Sequence, residues 1–192
     1  MAKIHFFSGS FDPPHLGHRE IARISSSLCD TLLVFPTRQS PAKDHIPHSS
    51  DSDRMVMSRL NFSGIQGLEI DEFEMTSVRQ NFTINTVHYL QERFPGDELT
   101  LVLGKDQWAD FYHWYQWQEI LNSASILCFH RDSVSDIPSE TGNNANVKYY
   151  SNFHFHISSS EIRVMLLGGN QDVINYLSPE VYTYIISHNL YR

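Results

Sequence analysis

Two histidines three residues apart, His15 and His18, lie in the run Gly9-Ser10-Phe11-Asp12-Pro13-Pro14-His15-Leu16-Gly17-His18. At that spacing, imidazoles on a helix project from one face. Gly9 permits a close backbone approach, and Gly17 would leave space for a bulky ligand beside the rings. A helix beginning here would aim free N–H groups and the positive end of its dipole at an anion. The pair then reads as two donors facing a phosphate. Spacing alone also suits a metal-binding pair or a surface pair. A second helix start follows the same logic at Ser158-Ser159-Ser160-Glu161-Ile162-Arg163. Ser158 and Glu161 form a capping box, and Arg163, one turn in, could grip phosphate oxygens bidentately. A plain, well-capped helix is the alternative. Two anion cradles in one chain suit a substrate with several phosphates.

Other chemistry-bearing residues are less specific. His45 and His48 have metal-pair spacing without a third ligand placed in sequence, and His154 and His156 alternate as on a strand. Trp108, Trp114 and Trp117 cluster, an arrangement more common in cores than at ligand platforms. Lys43 stands beside Asp44 and His45 in a polar loop. Cys29 and Cys128 sit in apolar runs and read as small buried hydrophobes. The sequons at Asn61 and Asn81 read as chance matches.

The elements that must position these residues follow from periodicity. Lys3–Ser8 and Thr31–Phe35 are short apolar runs separated by a helical spacing over Leu16–Leu28, a strand–helix–strand unit. Ser50 or Ser52 caps a helix running to about Phe62, and Leu68–Phe73 alternates as a strand. Thr83–Phe94 has helical spacing and stops at Pro95-Gly96. Leu99–Leu103 and Ser125–His130 read as strands around a Trp-rich helical stretch ending near Leu121. A polar loop over Asp132–Asn146 precedes a short strand at Val147–Tyr150. The rest is helical, with one helix stopped at Gly168-Gly169 and another opened by Ser178-Pro179. The expected fold is α/β, a doubly wound Rossmann-like parallel sheet with a helical C-terminal end. With no repeat and no long linker, residues 1–192 read as a single domain.

Composition narrows the function. The 192 residues carry 14 Lys+Arg against 22 Asp+Glu, a formal charge of −8. That argues against nucleic-acid or anionic-membrane partners and requires any phosphate site to gather its few cations locally. No apolar run approaches the ~18–20 residues of a membrane span, and the start lacks a signal-type core. A cytoplasmic protein is expected, with oligomeric state left open.

These motifs together resemble the nucleotidyltransferases that share an H-x-G-H motif, and in particular the bacterial nicotinate mononucleotide adenylyltransferase family. Gly9–His18 resembles G-x-F-D-P-x-H-x-G-H, and Ile157–Arg163 resembles I-S-S-T-x-I-R. Between them, Pro36–Lys43 resembles a segment ending P-P-H-K, Asn81–Val87 resembles S-Y-T-x-x-T-L, and Gly104-Lys105-Asp106 resembles G-x-D. Leu190-Tyr191-Arg192 resembles the family's ending. The sequence departs from the pattern at Ser40 and Ala42, at Asn81, Phe82 and Asn85, and at Asp132. The resemblance implies adenylyl transfer from ATP to nicotinate mononucleotide, with Mg²⁺ bound mainly through the ATP phosphates. It implies catalytic roles for His15, His18 and Arg163. ATP would be bound by Gly9, Ser10, Phe11, Lys43, Gly104, Asp106, Ser158 and Ser159. The pyridine nucleotide would meet Thr83, Thr86, Trp114 and Arg131. The rival readings are the same chemistry on nicotinamide mononucleotide or phosphopantetheine, and a nucleotide sensor without turnover.

Overall fold

The structure is a computed structural model that describes residues 1–39, 47–76, 82–130, 146–151, 155 and 157–192. Six strands form one sheet: β1 (Lys3–Gly9), β2 (Thr31–Pro36), β3 (Leu68–Ile70), β4 (Glu98–Gly104), β5 (Ser125–Phe129) and β6 (Val147–Tyr150). Their order is β3-β2-β1-β4-β5-β6 and every pairing is parallel. This is the doubly wound arrangement expected from the alternation of apolar runs and helices. The order reverses between β1 and β4, so Gly9 and Gly104 end adjacent strands on either side of the switch point.

Side chains alternate across the strands and build two cores. On one face Ile4, Phe6, Leu101, Leu103, Ile126 and Cys128 meet Ile84, Val87 and Leu90 of α4 (Thr83–Arg93) and Ile120 of α6 (Trp117–Ser123). On the other, Phe7, Leu32, Val34, Val102 and Leu127 meet Ile21, Ala22 and Ile24 of α1 (Leu16–Ser26). Phe62, at the end of α2 (Asp51–Phe62), joins this second core. Each Val, Leu, Ile or Phe side chain among these contributes about 1.5–3 kcal/mol on full burial. A third cluster joins Met57 of α2 to Ile162 of α7 (Ser159–Leu167) and to Val181 and Ile185 of α8 (Pro179–Ser187). The helical C-terminal end is thereby fastened beside the sheet. Ser50, Ser158 and Ser178 each cap the helix they were expected to start.

Two expectations are corrected. The strand over Leu68–Phe73 is only three residues long, and Phe73–Thr76 forms a helical turn, α3. Asp71 Oδ1 accepts the Phe73 N–H at 2.8 Å, which turns the chain out of the sheet edge. The Trp-rich stretch is not one helix. It divides into α5 (Lys105–Ala109), a 3-10 turn over Phe111–His113, and α6, with Gln116 in the left-handed region at φ 53° between them. Among the described residues no helix is long and apolar enough to cross a membrane.

Candidate active site

The run between β1 and α1 is fixed from within. His15 is not in the helix. It is the N-cap, with extended backbone (φ −141°, ψ 173°), and its Nδ1 accepts the Gly17 N–H at 3.1 Å. His18 Nδ1 accepts the His15 N–H at 3.3 Å. The two rings stack at 3.7 Å between centroids, 29° from parallel. They come together through reciprocal capping rather than through helical periodicity. With both Nδ1 lone pairs occupied, each neutral imidazole carries its proton on Nε2. Phe11 packs edge-on against His18 at 5.0 Å, from a left-handed backbone conformation at φ 46°.

The space at Gly17 belongs to protein, contrary to the expectation of ligand room. A Cβ there would lie 2.7 Å from the Phe155 ring and 3.0 Å from the His15 ring. Gly9 similarly makes way for the Phe11 ring, 2.9 Å from a Cβ on Gly9. The Ser10 carbonyl accepts from Arg54 at 2.7 Å. Arg54 is fully buried on α2 and also serves the carbonyls of Thr37 and Arg38 and the Asp51 carboxylate. Sequence reasoning missed this arginine because nothing in its local pattern marks it as buried.

The second helix N-terminus docks onto the first. Ser159 Oγ donates to the Pro13 carbonyl at 2.9 Å, and Arg163 donates to the Asp12 carbonyl at 2.6 Å and to Ser160 Oγ at 3.1 Å. Ser158 and Glu161 close their capping box. The Ser158 and Ser159 hydroxyls and the Arg163 guanidinium therefore tie the start of α7 to itself and to the Asp12-Pro13 backbone. Arg163 is 19% exposed.

Asp12, absent from the expected site residues, is the hub of this junction and only 4% exposed. Burial alone would raise its carboxyl. Hydrogen bonds from the Ser49 hydroxyl, the His48 N–H, the Tyr191 hydroxyl and the Ser49 N–H outweigh that and hold it below the usual carboxylate range. His48 is thus a loop anchor, with its Nδ1 3.5 Å from Asp12 Oδ2, and His45 lies outside the described residues.

On the opposite face of the sheet, α4 begins at Thr83, next to Phe82, whose ring lies 4.8 Å from that of Tyr115. Tyr115 is 57% exposed, and Trp114 is partly buried against Phe111. Thr86 differs from its expected place in the pocket lining. It is fully buried, and its hydroxyl donates to Glu74 Oε1 at 2.7 Å. Ser8 at the end of β1 donates to the same oxygen at 2.7 Å. Burial pushes the Glu74 carboxyl up to about 7, against the pull of these two hydroxyls, and Asp71 nearby adds to the rise. Trp108 is a core residue at 2% exposure. Gly104 faces open space at the end of β4, with its N–H on Gln107 Oε1, and Asp106 is exposed beside it.

Lys43, Arg131, Asn81, His154, His156 and all of the polar loop except Asn146 lie outside the described residues. The Cys29 and Cys128 thiols are pushed up by burial to about 11 and about 12. Asn61 is fully buried, so its sequon is a chance match. No group of three or more His, Cys, Asp or Glu that could hold a metal occurs among the described residues.

A family model described as cytidylyltransferase-like matches residues 6–165. That match takes in both helix N-termini and all six strands but the first residues of β1, and the chain is a nucleotidyltransferase of this type. A curated relative in Gemmatimonas aurantiaca, "Probable nicotinate-nucleotide adenylyltransferase", is 30% identical and aligns over 99% of this chain and 92% of its own. A relative of the same name in Chlorobium phaeobacteroides is also 30% identical, over 99% and 100%. The fold is similar to that of Plasmodium falciparum nicotinic acid mononucleotide adenylyltransferase complexed with NaAD. The TM-score is 0.85 at 21% identity, covering 100% of this chain and 98% of that one. The chain belongs to the nicotinate-nucleotide adenylyltransferase family.

Proposed function

We propose that the protein transfers the adenylyl group of ATP to nicotinate mononucleotide, giving deamido-NAD and pyrophosphate. The observation that carries the reading is the locking of two helix N-termini, those of α1 and α7, around the His15–His18 stack through Ser159–Pro13 and Arg163–Asp12. In a chain of charge −8, this is where anion-binding groups converge.

The nucleophile is an already ionised phosphate, so no side chain need be activated. The oxygen of the mononucleotide phosphate attacks the α-phosphorus of ATP, and the bond to the β-phosphate oxygen breaks, releasing pyrophosphate. Repulsion between the two anions is the obstacle, and catalysis consists of positioning and charge stabilisation. His15 and His18 donate from Nε2 to phosphate oxygens as charge develops. Arg163 and the α7 terminus hold the triphosphate, and Gly9, Ser10, Phe11, Gly104 and Asp106 frame the nucleotide at the switch point. Lys43 would add positive charge, and Arg131 would meet the mononucleotide. The pyridine ring stacks on Trp114 beside Phe82, Tyr115 and Thr83, with Thr86 supporting from behind. The N–H groups of Thr83 and Ile84, at the start of α4, would receive the nicotinate carboxylate. Asp12 is consumed by its own hydrogen bonds, which fits Mg²⁺ held by ATP phosphates and water rather than by a protein cage. When bound, the ion neutralises phosphate charge.

The test is pyrophosphate release from ATP with nicotinate mononucleotide, nicotinamide mononucleotide or phosphopantetheine as acceptor. Turnover with the first in clear preference supports the reading. Preference for another acceptor, or ATP binding without turnover, overturns it.

A further inference from the structure

We propose that Tyr191 is a positioning residue for the nucleotide site, acting through Asp12 without touching substrate; the inference rests on the ATP-binding role proposed for the α1–α7 junction. The Tyr191 hydroxyl lies 2.7 Å from Asp12 Oδ1 and 2.8 Å from Ser49 Oγ, and Ser49 Oγ lies 2.7 Å from the same Asp12 oxygen. Three chain segments, separated by 37, 142 and 179 residues, meet in this triangle. Two hydroxyl protons serve its three edges. Asp12 is ionised and has no proton to give, so both hydroxyls donate to it and the Ser49–Tyr191 edge is a close approach of two oxygens. The carboxylate is the acceptor that holds all three segments together.

Its consequence reaches the site because Asp12 is one peptide unit from everything that matters. Its carbonyl takes Arg163, and the next carbonyl, that of Pro13, takes Ser159 of α7. Phe11, on its other side, packs on His18. Both Phe11 and Tyr191 adopt left-handed backbone conformations, φ 46° and 58°, which a non-glycine residue keeps only where its surroundings fix it. The tyrosine thereby sets the separation of the two helix N-termini that one triphosphate must bridge.

Tyr191→Phe keeps the ring and removes the hydroxyl. With ATP and nicotinate mononucleotide, kcat should fall roughly tenfold to a hundredfold, the scale of a small misplacement of reacting groups. KM for ATP should rise, and KM for the mononucleotide should stay unchanged. A purely structural tyrosine would instead lower Tm and leave kcat and both KM values intact well below it, which would overturn the inference. Ser49→Ala, which takes the other hydroxyl from Asp12, should shift the same two parameters and carries the test if Tyr191→Phe does not fold. An inactive wild type sinks the parent reading, where an active wild type with unaltered variants sinks only this one. Binding of a non-hydrolysable ATP analogue by calorimetry reads the same site without turnover: Tyr191→Phe should bind it more weakly than wild type, and equal affinity counts against the inference.

Discussion

His15 and His18 lie ring on ring, 3.7 Å apart, and each gives its Nδ1 to a backbone N–H of the other's turn. The same contacts that start the helix select the Nε2–H tautomer of both rings. Each histidine therefore takes part in capping as well as presenting its Nε2–H. His18→Ala removes one preorganised donor and should lower kcat ~10²–10³-fold; it also takes the acceptor from the His15 N–H, so Tm should fall, but less than in His15→Ala. His15→Ala should in addition lose the cap, worth about 0.5–2 kcal/mol. Kinetics and thermal melts on both variants check this, and equal Tm losses would contradict it.

Gly17→Ala tests the site without altering a donor. Its Cβ would press on Phe155 and on the His15 ring at 2.7 and 3.0 Å. The ring must turn, breaking the stack with His18, and turnover should drop by roughly tenfold or more. Unchanged kcat would mean that the rings adapt and their stacking is dispensable.

Arg163→Lys should lower ATP use and stability together. Lysine keeps the charge but not the fork that reaches the Asp12 carbonyl and Ser160 at once. A loss of about 1 kcal/mol in stability is expected, with a raised KM for ATP. A stability loss with normal ATP kinetics would leave Arg163 as a purely structural brace.

Glu74 makes stability depend on pH. Its folded value, about 7, lies above its ordinary value of 4.5 because burial penalises the carboxylate. A raised folded value contributes stability that is fully present below about 4.5 and is lost as pH rises through 7. His5 acts oppositely over part of this range. Burial, with Lys148 and Lys3 adding, lowers it from 6.5 to about 4, so its contribution is lost as pH falls. The difference between wild type and Glu74→Gln isolates the carboxyl. The variant, still able to accept from Ser8 and Thr86, should gain about 1–3 kcal/mol relative to wild type between pH 5 and pH 8. Parallel denaturation curves at the two pH values would refute it.

Trp114→Ala should raise KM for nicotinate mononucleotide selectively. A ring stacked on an aromatic side chain gains ~1–3 kcal/mol, roughly ten- to a hundredfold in affinity. ATP, held at the α1 and α7 termini, should bind as before. Equal KM increases for both substrates would make Trp114 part of the core that Phe111 begins.

By itself the sequence determined most of the elements, though not where β3 ends or how the Trp-rich stretch divides. Period-two and helical spacings, Ser50, Ser158 and Ser178 as caps, and Gly and Pro as stops are local signals, and they specified the doubly wound sheet and where in the chain the two helix N-termini fall. The motif residues were legible for the same reason, being close together in the chain. What the sequence left open is how each side chain is used, because that depends on partners far away. Thr86 and Ser159 have the right types for ligand contact, but Glu74 and Pro13, distant in sequence, take their hydroxyls. Gly17 reads as ligand space until Phe155 fills it. Nothing local in the sequence marks Arg54, Glu74 or Asp12 as buried, and only the tertiary structure buries them. Desolvation makes each a demand for several hydrogen bonds, and the carbonyls, hydroxyls and N–H groups that answer come from segments the chain brings together only when folded.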